Sequence, residues 1–214
     1  MFKMTLSAAD PIYDELRTQI LSGTIKPGTP LRQDEIAKRF GVSKIPVREA
    51  LRRLEVDQLV VFERNKGAAV RGYSESEILQ LLDIRIALEC RALELAIPNM
   101  IESDFRDMRK LLSDYARRTQ VAEWSDANLR FHQMLYEPCG NTQLLLMIND
   151  LQAKLGQYLR LLVSTASGLE RPMREHDEIL DACERGDINT AVDKLRKHIE
   201  VTQKEVAAFL RRGA

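Results

Sequence analysis

Nine of the seventeen prolines and glycines in this chain fall within its first 72 residues, a third of the length: Pro11, Gly23, Pro27, Gly28, Pro30, Gly41, Pro46, Gly67 and Gly72. Both residue types interrupt regular backbone, proline by lacking an N–H and glycine by its conformational freedom. That region therefore holds only short elements. The other 142 residues carry long amphipathic stretches, with apolar residues at helical spacing over 74–98, 102–120, 123–137, 141–166, 170–185 and 188–211. Ser74-Glu75-Ser76-Glu77 supplies capping and acidic first-turn chemistry for the first of them. The chain is thus expected to be mainly α, with a small mixed domain at 1–72, a short joint near Arg71–Tyr73 and an all-α antiparallel bundle of about six helices at 73–214.

Composition narrows the class. With 44% hydrophobic and 30% charged residues the chain is neither disordered nor collagen-like. No apolar run approaches the ~18 residues of a membrane span, and the start MFKMTLSAAD lacks a signal-like apolar stretch, so a cytoplasmic protein without membrane contact is expected. Cys90, Cys139 and Cys183 are odd in number and show no CxxC spacing, which reads as buried hydrophobes and not as a disulfide or thiolate metal framework. The net charge is zero, yet residues 1–72 hold 13 basic against 9 acidic residues and the remainder 19 against 23. A basic head on an acidic body suits a polyanion.

Residues 31–55, LRQDEIAKRFGVSKIPVREALRRLE, have the pattern of a helix-turn-helix. Ile36, Ala37 and Phe40 form the apolar face of a first helix, and Gly41 supplies the turn. Ser43 is placed to cap a second helix, whose first turn accommodates Pro46. Val47, Ala50, Leu51 and Leu54 face inward, leaving Lys44, Arg48 and Arg52 as an outward cationic ridge suited to a DNA major groove. Arginine there can bond guanine O6 and N7 together. Residues 59–62 and 68–71 read as the strands of a hairpin whose turn, 63–67, carries Arg64, Lys66 and Gly67. A hairpin following a helix-turn-helix makes a wing, giving a winged helix-turn-helix domain.

The head resembles the GntR family of bacterial transcription regulators at Tyr13, Leu16-Arg17, Ile20, Gly23, Pro27-Gly28, Leu31, Ala37, Gly41-Val42-Ser43, Pro46-Val47-Arg48-Glu49-Ala50-Leu51, Leu54 and Gly67. It departs at Lys44-Ile45, where the family usually has Arg-Thr, and at Gln58, where it usually has Gly. The resemblance implies that Arg32, Lys44, Arg48, Arg52 and the wing tip at Lys66-Gly67 touch double-stranded operator DNA. A single recognition helix per chain implies a homodimer on an inverted repeat.

All three histidines, His132, His176 and His198, lie in the bundle and in inward-facing helical series. His176 stands ten residues before Gly186 and His198 twelve after it, so an antiparallel hairpin brings them to similar heights. With Asn128 one turn before His132, three imidazoles and a side-chain oxygen make a site for a divalent metal, Zn²⁺ or Ni²⁺. A hydrogen-bonded core role is the alternative for each histidine taken singly. Asn128 and neutral imidazoles leave the full +2 of such an ion uncompensated, which favours an anionic ligand.

The bundle resembles the FCD effector domain of the FadR-like branch of the same family, at Arg85-x3-Glu89, Asn128-x3-His132, Glu175-His176, Ile179-Leu180, Gly186-Asp187, Ala191 and His198. That resemblance implies a small organic acid as effector. Arg85, with Arg160 behind it, is the candidate clamp for its carboxylate, against the alternative of internal salt bridges. The expected function is a transcription regulator, a repressor, controlled by that acid at the metal site, and not an enzyme. The alternatives are a regulator that senses the metal itself and a metal-dependent hydrolase, for which the sequence offers no HExxH or equivalent base.

Overall fold

The computed structural model describes residues 7–64, 66–115, 121–165 and 170–212. The chain divides into two compact units, Met1–Tyr73 and Ser74–Ala214.

In the first unit, α1 (Asp10–Leu21) buries Ile12, Leu16 and Ile20 at four-residue spacing. The next helix, α2 (Gln33–Phe40), has Asp34 and Glu35 in its first turn and Lys38 and Arg39 in its last, matching the helix dipole at both ends. Helix α3 (Lys44–Val56) buries Val47, Ala50, Leu51 and Leu54. Strands β1 (Pro30–Leu31), β2 (Val60–Glu63) and β3 (Gly67–Val70) form an antiparallel sheet in the order β1-β3-β2. Glu63 pairs with Gly67, so the wing turn is tighter than the five residues the sequence suggests. Neither α1 nor β1 is marked by the helix-turn-helix pattern. Helix α1 is fastened to α3 by Arg53, which pairs with Asp10 at 2.6 Å and lies over the Tyr13 ring, while the Tyr13 hydroxyl donates to Asp57.

Three of the described helices stop in one way. Gly41, Gln58 and Gly186 adopt left-handed φ values of 65°, 59° and 66°. Each N–H bonds the carbonyl three residues back, and the following N–H bonds the carbonyl five back: Val42 to Ala37, Leu59 to Leu54 and Asp187 to Ala182. These paired bonds satisfy the last carbonyls of α2, α3 and α8 (Glu170–Glu184). Glycine takes this backbone without a Cβ clash; Gln58 does not. Ser43 occupies the N-cap position of α3, but its side chain makes no capping hydrogen bond, contrary to the sequence expectation.

The second unit is helical throughout its described residues: α4 (Glu75–Ala96), α5 (Glu102–Tyr115), α6 (Val121–Tyr136), α7 (Thr142–Thr165), α8 and α9 (Ile188–Arg212), with 3-10 turns at Ile97–Asn99 and Glu137–Cys139. Expected helical residues 116–120 and 166 lie outside the described residues. Ser74 and Glu77 cap α4 reciprocally, each side chain bonding the other's backbone N–H. Helix α4 is central, packing on α6, α7 and α9. Cys90, Cys139 and Cys183 are free and buried, and burial lifts the thiols of Cys90 and Cys183 to about 11 and about 12. No described helix is long and apolar enough to cross a membrane.

Candidate functional site

The inward faces of α4, α6, α7, α8 and α9 are apolar apart from one cluster. All the buried polar or charged residues among the described ones belong to the bundle: Arg85, Glu89, His132, Gln152, His176 and His198. Burying such groups is costly unless they are paired or hold a ligand. The fold brings the three imidazoles together, with ring centroids 5.2 Å apart for His132 and His176, 5.3 Å for His132 and His198, and 4.8 Å for His176 and His198. One nitrogen from each ring lies within 4.8 Å of the other two. Phe131 packs on His176 at 4.5 Å and closes one side.

Two of the rings are oriented by hydrogen bonds that also fix their tautomers. Tyr136, kept protonated by burial and by the neighbouring Glu89 charge, donates its only hydroxyl proton to Glu89 Oε2 at 2.7 Å. Its oxygen, 3.0 Å from His132 Nδ1, can therefore only accept, so the His132 proton sits on Nδ1. Nε2 of His132 is left with its lone pair, buried and without a hydrogen-bond partner among the described residues. On α9, His198 Nδ1 lies 2.7 Å from Glu175 Oε2. Burial depresses the His198 pKa, with the Glu175 interaction opposing it, so the neutral ring donates through Nδ1 and presents Nε2. Burial likewise holds His132 and His176 well below the ordinary imidazole value. Neutral imidazoles with bare nitrogens are the form that binds metal.

Such a donor set fits a divalent ion. An unsatisfied buried acceptor such as His132 Nε2 is costly to leave without a partner, and coordination satisfies it. Nitrogens bound to one divalent ion would lie closer together than the observed 4.8 Å, so the rings would draw together on binding. Asn128 stands half-buried on α6, one turn before His132.

Around the imidazoles stand carboxylates to which the sequence reading gave no role. Glu89, fully buried, accepts from Arg85 Nε at 2.8 Å, Gln152 Nε2 at 2.8 Å and Tyr136. Glu175 accepts from Arg171 at 2.7 Å as well as from His198, and Arg171 also reaches Glu205 at 2.7 Å. Burial pushes the Glu175 carboxyl up, but these hydrogen bonds outweigh it and hold it below its ordinary value. This corrects the expectation of an uncompensated +2. Arg85 and Glu89 cancel, Arg171 with Glu175 and Glu205 leaves one negative charge, and a divalent ion gives the cluster a single positive excess. The Arg85 guanidinium is engaged in the internal ion pair that was the alternative to its role as a clamp. Arg160 lies on α7, and its side chain is outside the described residues. Gln152 and Tyr136 carried a signal that went unread: each is a polar group on an apolar helical face, Gln152 between Ile148 and Leu155 and Tyr136 one turn after His132.

On the head, Arg32, Lys44, Arg48, Arg52, Arg64, Lys66 and Gly67 are all exposed. Their environments differ. Arg32 lies 3.6 Å from Glu35, Lys44 pairs with Asp34 at 2.5 Å, and Lys66 pairs with Glu63 at 2.9 Å. Arg52 pairs with Glu55 at 2.6 Å and lies 4.2 Å over the Phe62 ring, which braces α3 against the wing. Arg48 has no hydrogen-bond or ion-pair partner among the described residues, so its full fork of donors faces outward.

Similarity to known proteins follows the same two-part division. Residues 8–70 match the gntR family of bacterial regulatory proteins, and residues 80–201 match the FCD domain. The chain is 29% identical over 209 residues to the uncharacterized HTH-type transcriptional regulator YdhC of Bacillus subtilis (strain 168), covering 94% of this chain and 92% of that protein. It is 30% identical over 199 residues, 90% of this chain and 86% of the other, to a Paenarthrobacter nicotinovorans protein named a probable D-xylose utilization operon transcriptional repressor. The fold matches that of E. coli McbR/YncC with a TM-score of 0.79 at 22% identity, over 98% and 99% of the two chains. A winged helix-turn-helix head, a helical bundle with a buried histidine cluster, and these similarities over nearly the whole length agree: the chain is a DNA-binding transcription regulator that belongs to the gntR family and carries an FCD domain.

Proposed function

We propose that this regulator is a homodimeric repressor of an inverted-repeat operator, and that a small carboxylic acid bound at a divalent metal in the bundle alters its affinity for that operator. The observation that carries the reading is the triad of buried, neutral imidazoles whose nitrogens lie within 4.8 Å of one another. His132, His176 and His198, with Asn128 as an oxygen donor, would hold Zn²⁺ or Ni²⁺; when bound, the ion supplies Lewis acidity and open positions for an anion. Glu175 and Tyr136 orient the rings from behind. The single positive excess left by the surrounding pairs matches one carboxylate.

Arg48 reads a base from α3, and Lys44, Arg52, Arg32 and the wing tip at Lys66-Gly67 hold the phosphates. The naming of the Paenarthrobacter relative as a repressor supports that sign of control. Ile84, Ile101, Leu146 and Met147 are exposed apolar residues of the bundle, which favours the bundle as the dimer interface. A ligand joining α6, α8 and α9 changes operator affinity through its unequal affinity for two arrangements of those helices, and a coupling of about 1–3 kcal/mol suffices.

The test is a titration of operator binding by the full chain with Zn²⁺ or Ni²⁺ alone and with either ion plus acetate, malate or citrate. A shift that needs both ion and acid supports the reading. The whole shift with the ion alone assigns the protein as a metal sensor. Glu89 and Glu175, the carboxylates nearest the imidazoles, are both held in hydrogen bonds, and neither stands as a free base for hydrolysis.

A further inference from the structure

Helix α3 turns by about 100° per residue, so its four buried side chains, Val47, Ala50, Leu51 and Leu54, define an inward direction. The residue pointing within roughly 10° of the opposite direction in the first turn is Ile45. It is 79% exposed, a large apolar side chain beside the cations Lys44 and Arg48. Elsewhere in the head the apolar residues of α3 are packed, apart from Val56 at the helix's last position. A single exposed apolar residue is common on protein surfaces, so what distinguishes Ile45 is its place, in the first turn of α3 and on the outward face that also carries Arg48 and Arg52. Its neighbours define a surface built for DNA, in which the N-terminal residues of the recognition helix reach the base edges. The one base-edge group in the major groove that an aliphatic side chain recognises is the C5-methyl of thymine.

We infer that Ile45 is a specificity-determining residue that reads a thymine methyl beside the base taken by Arg48. The inference rests on the proposed reading that α3 enters the major groove. Ile45 and Arg48 are three residues apart on one face, with Cβ atoms about 5–6 Å apart. Stacked bases repeat every ~3.4 Å along a strand, so the thymine lies one or two base pairs from the base read by Arg48. Ile45 carries no donor or acceptor, and it discriminates by contact alone. A position that usually holds threonine in this family is here purely apolar, which gives this chain its own base preference.

Uracil differs from thymine only by that methyl, which makes the test atom-specific. The preferred site is selected from a random duplex pool with the full-length protein, and each thymine in a half-site is then replaced singly by deoxyuridine. The wild type is expected to lose about three- to five-fold in affinity per half-site at one thymine, the effect of one buried methyl. Ile45→Ala, with its fold checked by circular dichroism, is expected to bind the thymine and uracil sites equally. Equal losses in Ile45→Ala and wild type, or no sensitive thymine in the wild type, overturn the inference. Arg48→Ala separates the two levels: loss of specific binding there with no effect of uracil sinks only the role of Ile45, whereas wild-type specificity in Arg48→Ala, or a pool that yields no enriched site, sinks the reading of α3 as well.

Discussion

Glu175 Oε2 sits 2.7 Å from Nδ1 of His198, one residue before His176 in the chain and 23 residues before the histidine it orients. One turn of α8 thus contributes an imidazole to the cluster and, through its neighbour, sets the tautomer of an imidazole from α9. Removing the acceptor frees His198 to rotate and to place its proton on either nitrogen. Glu175→Ala is therefore expected to weaken Zn²⁺ binding by about 10–100-fold, and Glu175→Gln, which keeps an acceptor oxygen, by less. Competition with a chromogenic chelator measures both, and equal affinity in wild type and Glu175→Ala would remove the assigned role.

The buried imidazoles also fix the direction of the pH dependence of stability. In the unfolded chain they titrate near 6.5, whereas burial holds His132 and His176 well below that value in the fold. As pH falls below about 6.5 the unfolded state takes up protons that the folded state refuses, so stability is full above that point and declines toward the depressed folded values. Each such imidazole contributes a slope of up to about 1.4 kcal/mol per pH unit. Metal-free protein in chelator is expected to melt at lower temperature at about pH 5.5 than at about pH 7.5, with a smaller difference in His132→Phe. A melting temperature unchanged across that range would contradict the burial of neutral rings.

Much of this was legible in the sequence because helices and their breakers are local signals. The expected span 170–185 against the observed Glu170–Glu184, and the Ser74 and Glu77 cap, came from periodicity and capping chemistry alone. Convergence of His176 and His198 followed from counting residues on either side of Gly186, whereas the approach of His132 depends on how α6 packs. Strand β1 escaped because two residues carry no period. The environment of the imidazoles escaped for a deeper reason. Glu89 meets Tyr136 across 47 residues and Gln152 across 63, and pairing at that distance depends on how helices pack, which no single helical pattern records. Arg52 shows the same limit: the spacing placed it on the outer ridge, while its seat over Phe62 exists only once the wing has docked.

Gln58 ends α3 in the left-handed conformation at a φ of 59°, the only positive φ outside glycine among the described residues. That backbone costs a side chain about 1–2 kcal/mol, and glycine returns part of the gain, about 0.4–1 kcal/mol, through its freer unfolded state. Gln58→Gly is accordingly expected to stabilise the head by about 1 kcal/mol or less, and Gln58→Val, β-branched, to destabilise it. Urea unfolding of the two variants beside the wild type decides the sign. A less stable Gln58→Gly would mean that the contacts of the Gln58 side chain outweigh the strain.

Metal stoichiometry tests the histidine centre most directly. The wild-type chain and His176→Ala are loaded with Zn²⁺, dialysed against metal-free buffer and analysed for elemental zinc, with circular dichroism to show that both are folded. The expected result is one ion per wild-type chain and none retained by His176→Ala, since two imidazoles and an amide oxygen hold the ion too weakly to survive dialysis. Equal retention by both proteins, or none by either, would contradict a metal held by His132, His176 and His198.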